Sequence, residues 1–171
     1  IANPGLADFQ LLPLFGFPGS VDLRDDRFNP RRGAYIDLGF ETTLGQIDED
    51  YPAFGRGTSR LVGLLPFGPK DLGLRLEVGG GVAWSYDGRL PPVEYRFGLG
   101  GTGTLRGFAR DAVGPTGTRP GLLEEGGLLG APGLAARDVT VGGNAFYRYS
   151  LELLMPVVFL DAWRFAVFHD A

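Results

Sequence analysis

The sequence predicts an all-β protein, and more narrowly an antiparallel transmembrane β-barrel segment of about six strands with one long loop inserted into the lumen. Three observations lead to this prediction. The chain has 171 residues with 29 glycines and 13 prolines, a turn-rich composition that argues against an all-helical protein. Several stretches alternate large apolar residues with small or polar ones, which is the period of a β-strand. No stretch of about 18 consecutive apolar residues occurs, which excludes a transmembrane helix while leaving membrane-crossing strands possible.

Six segments are expected to form the strands. The clearest is Gly33–Glu41, in which Ala34, Ile36, Leu38 and Phe40 alternate with Tyr35, Asp37, Gly39 and Glu41. The same pattern recurs in three further segments, Leu72–Trp84, Asn144–Met155 and Trp163–Asp170. Two weaker candidates are Ser59–Phe67, whose faces are ambiguous, and a strand within Phe9–Asp25, where Pro13 and Pro18 interrupt the pattern.

Alternation of this kind suits either a soluble sandwich or an outer-membrane barrel. A sandwich turns its apolar side chains inward, whereas a barrel turns them toward lipid and keeps small and polar side chains toward a wet lumen. Leu72–Trp84 favours the barrel, because it is long for a sandwich strand and its polar face is rich in glycine. Trp84, Tyr86 and Trp163 lie near strand ends, as an interfacial aromatic belt requires. A soluble β-sandwich binding module remains the alternative, and it would need no detergent.

Six strands are too few to close a membrane barrel, since the smallest bacterial ones use about eight. Residues 1–171 are therefore expected to be one partial barrel domain, with both ends cut from a larger protein and no signal peptide present. Short turns are expected at Phe67–Asp71 and Pro156–Asp161, and one long loop at residues 86–141. Loops of this length are usually functional or disordered.

The chemistry expected of this chain is limited. A net charge of −4 without a basic stripe argues against nucleic acid as a partner. Gly98, Gly100 and Gly103 match the spacing of a dinucleotide fingerprint, but no helical period follows them. The single histidine, His169, falls on the apolar outward face of its strand, and no cysteine is present. We therefore expect no catalytic residue, no cofactor and no metal, and the protein is not predicted to be an enzyme.

Arg106 is the residue that we expect to matter most. An Arg-Gly-Phe tripeptide is common and by itself indicates an ordinary turn. Glu152 and Asp170, however, both fall on the inferred lumenal faces of their strands. A guanidinium has five donors in a planar fork that suits carboxylate partners, so this set predicts a loop tip held inside the barrel.

These motifs, in this order, resemble the barrel of the BamA/TamA assembly-factor and two-partner-secretion superfamily, also described as the bacterial surface antigen barrel. The similarity rests on a Gly-Gly pair before an Arg-Gly-Phe loop motif, a Gly-Gly-Asn strand that contains Leu-Glu, and a Phe-x-Asp strand. Here these are Gly100 and Gly101, Arg106-Gly107-Phe108, Gly142-Gly143-Asn144 with Leu151-Glu152, and Phe168 with Asp170. Residues 22–33 resemble the family's upstream strand, turn and strand.

The resemblance implies a sixteen-stranded barrel in the outer membrane of a Gram-negative bacterium or an organelle, of which this chain is a later part. It implies that residues Arg106, Gly107, Phe108, Glu152 and Asp170 lock the long loop inside the lumen. Periplasmic POTRA domains and the remaining strands are expected outside these residues. The implied partners are outer-membrane lipid, accessory proteins and an unfolded β-barrel client or a secreted polypeptide.

Three functions follow from the resemblance. The first is insertion of β-barrel proteins into the outer membrane, by templated strand pairing at a weak barrel seam with local bilayer thinning and without ATP or metal. The second is a two-partner secretion transporter that exports one polypeptide through the lumen. The third is a barrel fused to a patatin-like esterase, although no Gly-x-Ser-x-Gly motif occurs in these residues.

Overall fold

The structure, a computed structural model, describes residues 13–43, 52–68, 72–117, 139–157 and 163–171. The strands in these ranges are β1 (Leu14–Asp22), β2 (Gly33–Thr43), β3 (Phe54–Pro66), β4 (Gly73–Ser85), β5 (Thr116–Gly117), β6 (Val139–Thr140), β7 (Ala145–Pro156) and β8 (Arg164–Asp170). The six long strands form one antiparallel sheet in the order β1-β2-β3-β4-β7-β8, and the two short strands, β5 and β6, pair separately. A single turn of 3-10 helix spans Val93–Tyr95. No helix in the described ranges is both long enough and apolar enough to cross a membrane.

The two faces of the sheet have the opposite burial pattern from that of a soluble sandwich. On β4, Leu76 is 42% exposed and Val78 is 44% exposed, whereas Glu77 between them is 3% exposed. The charged face, here called the lumenal face, is covered by the loop between β4 and β7, and the apolar outer face is open. This is the arrangement of a transmembrane barrel, so the predicted fold class is confirmed as a six-stranded antiparallel segment of such a barrel.

Strand register aligns the lumenal side chains in rows that cross the sheet. Glu77 on β4 is opposite Ser150 on β7, which is opposite Asp170 on β8. One row along, Arg75 is opposite Glu152, which is opposite Phe168. Directly paired strand residues have their side chains close together on the same face. The rows therefore place acidic and basic groups from three strands within reach of one another.

One strand, β3, begins earlier than expected, and the strand expected within Phe9–Asp25 is confirmed as β1. β3 begins at Phe54 rather than Ser59. The alternating pattern missed this first part because its outer-face positions opposite Trp84 and Val82 are Gly55 and Gly57, which have no apolar side chain. Its ambiguous faces are resolved by pairing, which puts Arg60 on the lumenal side. β1 continues through Pro18, which is tolerated because β1 pairs only with β2 in the described sheet.

The connections divide between the two ends of the sheet. At one end, β1–β2 is closed by Leu23 N–H donating to Ala34 O at 2.8 Å, and β3–β4 by Phe67 N–H donating to Leu72 O at 2.9 Å. Residues 69–71 and 158–161 of the expected short turns lie outside the described part of the chain. The loop between β4 and β7 leaves the other end.

The long loop expected at residues 86–141 contains short regular elements in its described part. A 3-10 turn, the β5–β6 pair and isolated bridges such as Leu99 to Val113 organise it. These ladders are one or two residues long, which is too short to produce an alternating pattern in the sequence. The Gly- and Leu-rich run at residues 121–133 lies outside the described residues.

Candidate functional site: the docked loop and the lumenal ion pairs

The tip of the long loop is a compact hairpin built on glycine. Gly100 has φ +124°, and a Cβ there would overlap the carbonyl oxygen of Ala109, so the two arms of the hairpin approach as only glycine permits. Gly101 N–H donates to Phe108 O at 3.0 Å across the base of the tip. Leu105 is 8% exposed. This local packing turns Arg106 toward the sheet.

Arg106 is bound to Asp170 at three positions. Its backbone N–H donates to Oδ2 at 3.1 Å, Nε donates to Oδ2 at 2.8 Å, and Nη2 donates to Oδ1 at 2.6 Å. Asp170 lies at the end of β8, 64 residues along the chain. Hydrogen bonding to this carboxylate raises the pKa of Arg106, so the guanidinium stays charged in the lumen.

The other guanidinium contacts of Arg106 come from β7 and from the ring of Phe168. Nη1 donates to Glu152 Oε1 at 2.6 Å, and Nη2 donates to Ser150 Oγ at 2.7 Å. The guanidinium carbon lies 3.6 Å from the centroid of the Phe168 ring, a cation–π contact. Arg106 therefore joins the loop to two neighbouring strands through carboxylate, hydroxyl and aromatic partners.

Gly107 and Phe108 contribute differently from Arg106. Gly107 has φ +94°, a conformation that favours glycine, while no atom lies within 4 Å of the position where a Cβ would be. Its importance is therefore in the backbone and not in close packing. The Phe108 side chain is 58% exposed. Its observed link to the tip is its carbonyl oxygen, which accepts the bond from Gly101.

Beside the loop tip, the wall of the sheet contains further ion pairs. Arg75 Nη1 is 3.2 Å from Glu152 Oε2, the oxygen not used by Arg106. Arg75 and Arg148 also donate to Glu77, and Arg60 donates to it at 2.8 and 3.0 Å. A small polar cavity of about 120 Å³ separates this wall from the loop residues 102–104.

The base of the loop is held at a second place. The Phe97 ring lies 4.8 Å from the Phe146 ring and stacks under Arg56, whose guanidinium carbon is 4.6 Å from the ring centroid. Gly81, on the lumenal face of β4, leaves the space that both rings occupy, since a Cβ there would be 2.7 Å from Phe146 and 2.8 Å from Phe97. Backbone bonds of 2.8 Å in each direction between Phe97 and Gly143 complete this contact.

The structure brings together three of the five residues expected to lock the loop: Arg106, Glu152 and Asp170. Gly107 acts through its backbone, and Phe108 is 58% exposed and joins the tip through its carbonyl oxygen. The residues of the wall that the sequence did not assign to the site are Ser150, Phe168, Arg75, Glu77, Arg60 and Arg148. The alternating pattern puts Arg75, Glu77 and Ser150 on the lumenal faces of their strands. Only the strand register, which the sequence does not show, pairs Glu77 with Ser150 and Arg75 with Glu152. His169 lies on the outer face, as expected, with its ring stacked 5.7 Å from that of Tyr149.

In chemical terms the site is a set of ion pairs between partly exposed arginines and buried carboxylates. In the described ranges no three His, Cys, Asp or Glu side chains are grouped so that they could hold a metal ion. The two carboxylates that face the loop tip, Glu152 and Asp170, both accept hydrogen bonds from Arg106. The geometry is suited to holding a loop in one position against the wall of a barrel.

Comparison with known proteins identifies the family. The model of the Omp85 superfamily domain matches residues 6–171. The chain belongs to the Omp85 superfamily. This confirms the resemblance seen in the motifs around Arg106, Glu152 and Asp170.

A solved structure has the same fold over most of this chain. The crystal structure of BamA from Haemophilus ducreyi lacking POTRA domains 1–3 superposes with a TM-score of 0.72 at 24% sequence identity. The match covers 92% of this chain and 29% of that chain, so the present sequence spans less than a third of the BamA chain. The likeness supports the barrel-segment fold of this Omp85 chain.

Proposed function

We propose that this Omp85 chain is part of the barrel of a factor that inserts β-barrel proteins into an outer membrane. The observation that supports this most directly is the position of Arg106. Its guanidinium reaches Glu152, Ser150 and Asp170 on the lumenal wall, so the loop is held against the lumenal face of this segment, as the proposed role of the loop requires.

The loop-lock role of Arg106, Gly107, Phe108, Glu152 and Asp170 is part of this proposal. Arg106 supplies the charge, Glu152 and Asp170 supply fixed acceptors on adjacent strands, and Gly107 permits the turn of the tip. Phe108 contributes its carbonyl oxygen to the hairpin. An inserted loop that is fixed to two strands would keep their relative position constant while the rest of the barrel changes shape.

The surroundings that we propose follow from the two faces of the sheet. The exposed apolar outer face, with Phe17 and Phe165 each 66% exposed, suits outer-membrane lipid. The proposed whole protein contains residues 1–171 as a partial barrel domain, further strands and periplasmic POTRA domains. Its proposed partners are an unfolded β-barrel client and accessory proteins.

The proposal is tested by depleting the full-length protein in its source cell and measuring the amounts of many unrelated outer-membrane barrels. We expect a broad loss of folded barrels. Loss of one secreted polypeptide, with unrelated barrels intact, would instead identify a two-partner secretion transporter and contradict the proposal.

The contribution of the loop is tested by restoring the depleted cells with Arg106→Ala. The matched control is Arg110→Ala in the same loop, because the Arg110 side chain is 91% exposed. We expect Arg110→Ala to restore barrel levels and Arg106→Ala to restore them incompletely. Equal rescue by both variants would remove the loop-lock role from the proposed function.

A further inference from the structure

A buried carboxylate beside the docked loop gathers three arginines. Glu77, on the lumenal face of β4, is 3% exposed. Arg60 Nε donates to its Oε1 at 2.8 Å and Arg60 Nη2 donates to its Oε2 at 3.0 Å, and both Arg75 and Arg148 donate to it as well. A carboxylate that is buried with such partners is costly to neutralise, because the arginines then lose their compensating charge.

The sheet is built to allow this convergence. Register places Gly79 between Arg60 on β3 and Arg148 on β7, in a row next to that of Glu77. A Cβ at Gly79 would lie 3.3 Å from Arg148 Nε. The absence of a side chain at Gly79 gives the two arginines room to turn toward Glu77.

Arg75 connects this cluster to the loop. One of its nitrogens, Nη2, donates to Glu77, and the other, Nη1, lies 3.2 Å from Glu152 Oε2. The remaining oxygen of Glu152, Oε1, accepts the 2.6 Å bond from Arg106. A continuous path of charged contacts therefore leads from Glu77 to Arg106 through Arg75 and Glu152.

We propose that Glu77 is a positioning residue for the docked loop. By holding Arg75, it directs one guanidinium nitrogen away from Glu152 and leaves Oε1 of Glu152 to Arg106. By holding Arg60 and Arg148 as well, it compensates wall charge that would otherwise repel the cationic loop tip. Without the Glu77 charge, Arg75 competes with Arg106 for Glu152, and the tip is held less firmly.

The test uses hydrogen exchange in the full-length protein reconstituted in lipid nanodiscs. The backbone N–H of Arg106 donates to Asp170 Oδ2 at 3.1 Å, so its exchange rate reports docking of the tip directly. We expect Glu77→Gln to accelerate exchange in the peptide that contains Arg106 by about tenfold. Protection of the β4 and β7 amides in the same experiment shows that the sheet is intact.

The matched control is Asp22→Asn. Asp22 is a carboxylate at the end of β1, and it pairs with Arg24 at 2.7 Å outside the path through Arg75. We expect Asp22→Asn to leave exchange at Arg106 unchanged. Equal acceleration by both variants, or no acceleration by Glu77→Gln, would overturn the proposal.

A double-mutant cycle distinguishes positioning from a purely structural role. In the Glu152→Gln background, the path to Arg106 is already weakened, so Glu77→Gln should accelerate exchange much less than it does in the native protein. If the acceleration of exchange in the double variant equals the product of the accelerations in the two single variants, the two residues act independently and the proposal is overturned. If Glu77→Gln does not fold, Arg75→Gln is measured instead. It removes the guanidinium that would compete with Arg106 for Glu152, so exchange at Arg106 should not accelerate, and acceleration would overturn the proposal. This measurement of loop position does not depend on the proposed insertion activity, so either can fail without the other.

Discussion

Arg106 and Asp170 are joined by three hydrogen bonds, one from the backbone N–H of Arg106 and two from its guanidinium. The contact thus fixes both the main chain and the side chain of the loop tip against the last described strand. It differs from an exposed ion pair, because the Asp170 side chain is only 5% exposed. Breaking it should move the loop and not merely remove a surface charge.

Asp170→Asn tests this contact. The amide keeps one oxygen acceptor but turns an N–H₂ donor toward the guanidinium, so docking should weaken by roughly 1–3 kcal/mol. The measurement is the rate of limited proteolysis within residues 100–108 of the full-length protein in nanodiscs. Asp87→Asn is the control, since Asp87 pairs with Arg89 near the end of β4 and away from the tip. Unchanged cleavage in Asp170→Asn would refute the expected weakening.

Phe168→Leu tests the aromatic partner of Arg106. Leucine preserves an apolar side chain but lacks the ring face that lies 3.6 Å from the guanidinium carbon, so docking should weaken by about 0.5–2 kcal/mol. Phe168→Tyr keeps the ring and should retain most of the docking. Proteolysis of the same loop segment gives the measurement. Phe165→Leu, on the outer face of the same strand, controls for loss of a ring in general. A result in which leucine and tyrosine behave alike would exclude the cation–π contribution.

Gly107→Ala separates backbone strain from packing. Nothing lies within 4 Å of the added methyl group, but φ +94° is unfavourable for alanine, and the expected cost to the docked tip is about 1–2 kcal/mol. Gly103→Ala is the matched control, because that position also has open space and does not have a positive φ in the left-handed region. Hydrogen exchange at the Arg106 amide distinguishes them. The explanation fails if both substitutions have the same effect.

Gly81→Ala should displace the base of the loop. Its methyl group would lie 2.7 Å from the Phe146 ring and 2.8 Å from the Phe97 ring, and relieving this overlap should cost roughly 1–3 kcal/mol. The measurement is the temperature at which the barrel loses its heat-modifiable mobility on gels, with exchange at Phe97 followed in parallel. Gly57→Ala, where the methyl group meets no atom within 4 Å, should change neither. An unaltered Phe97 amide in Gly81→Ala would mean that this contact does not hold the loop.

The sequence by itself determined most of the strands, the faces of those strands that alternate clearly, and the family. A strand alternates with a period of two, so Leu76, Glu77 and Val78 reveal their faces without reference to any neighbour. The order of the motifs from Gly100 to Asp170 was sufficient for the family resemblance. It also singled out Arg106, Glu152 and Asp170, because a buried arginine needs acidic partners.

Only the tertiary structure decided which lumenal groups meet. Register depends on hydrogen bonds between strands and on turns whose geometry is not local, so the pairing of Glu77 with Ser150 and of Glu152 with Phe168 could not be read from alternation. The contact of Phe97 with Gly81 depends on the path of the loop, which has no period of its own. Glu77 looked like any polar residue on a strand until folding placed three arginines around it. Charge and alternation are properties of the chain, whereas the partner of each charge is a property of the folded barrel wall.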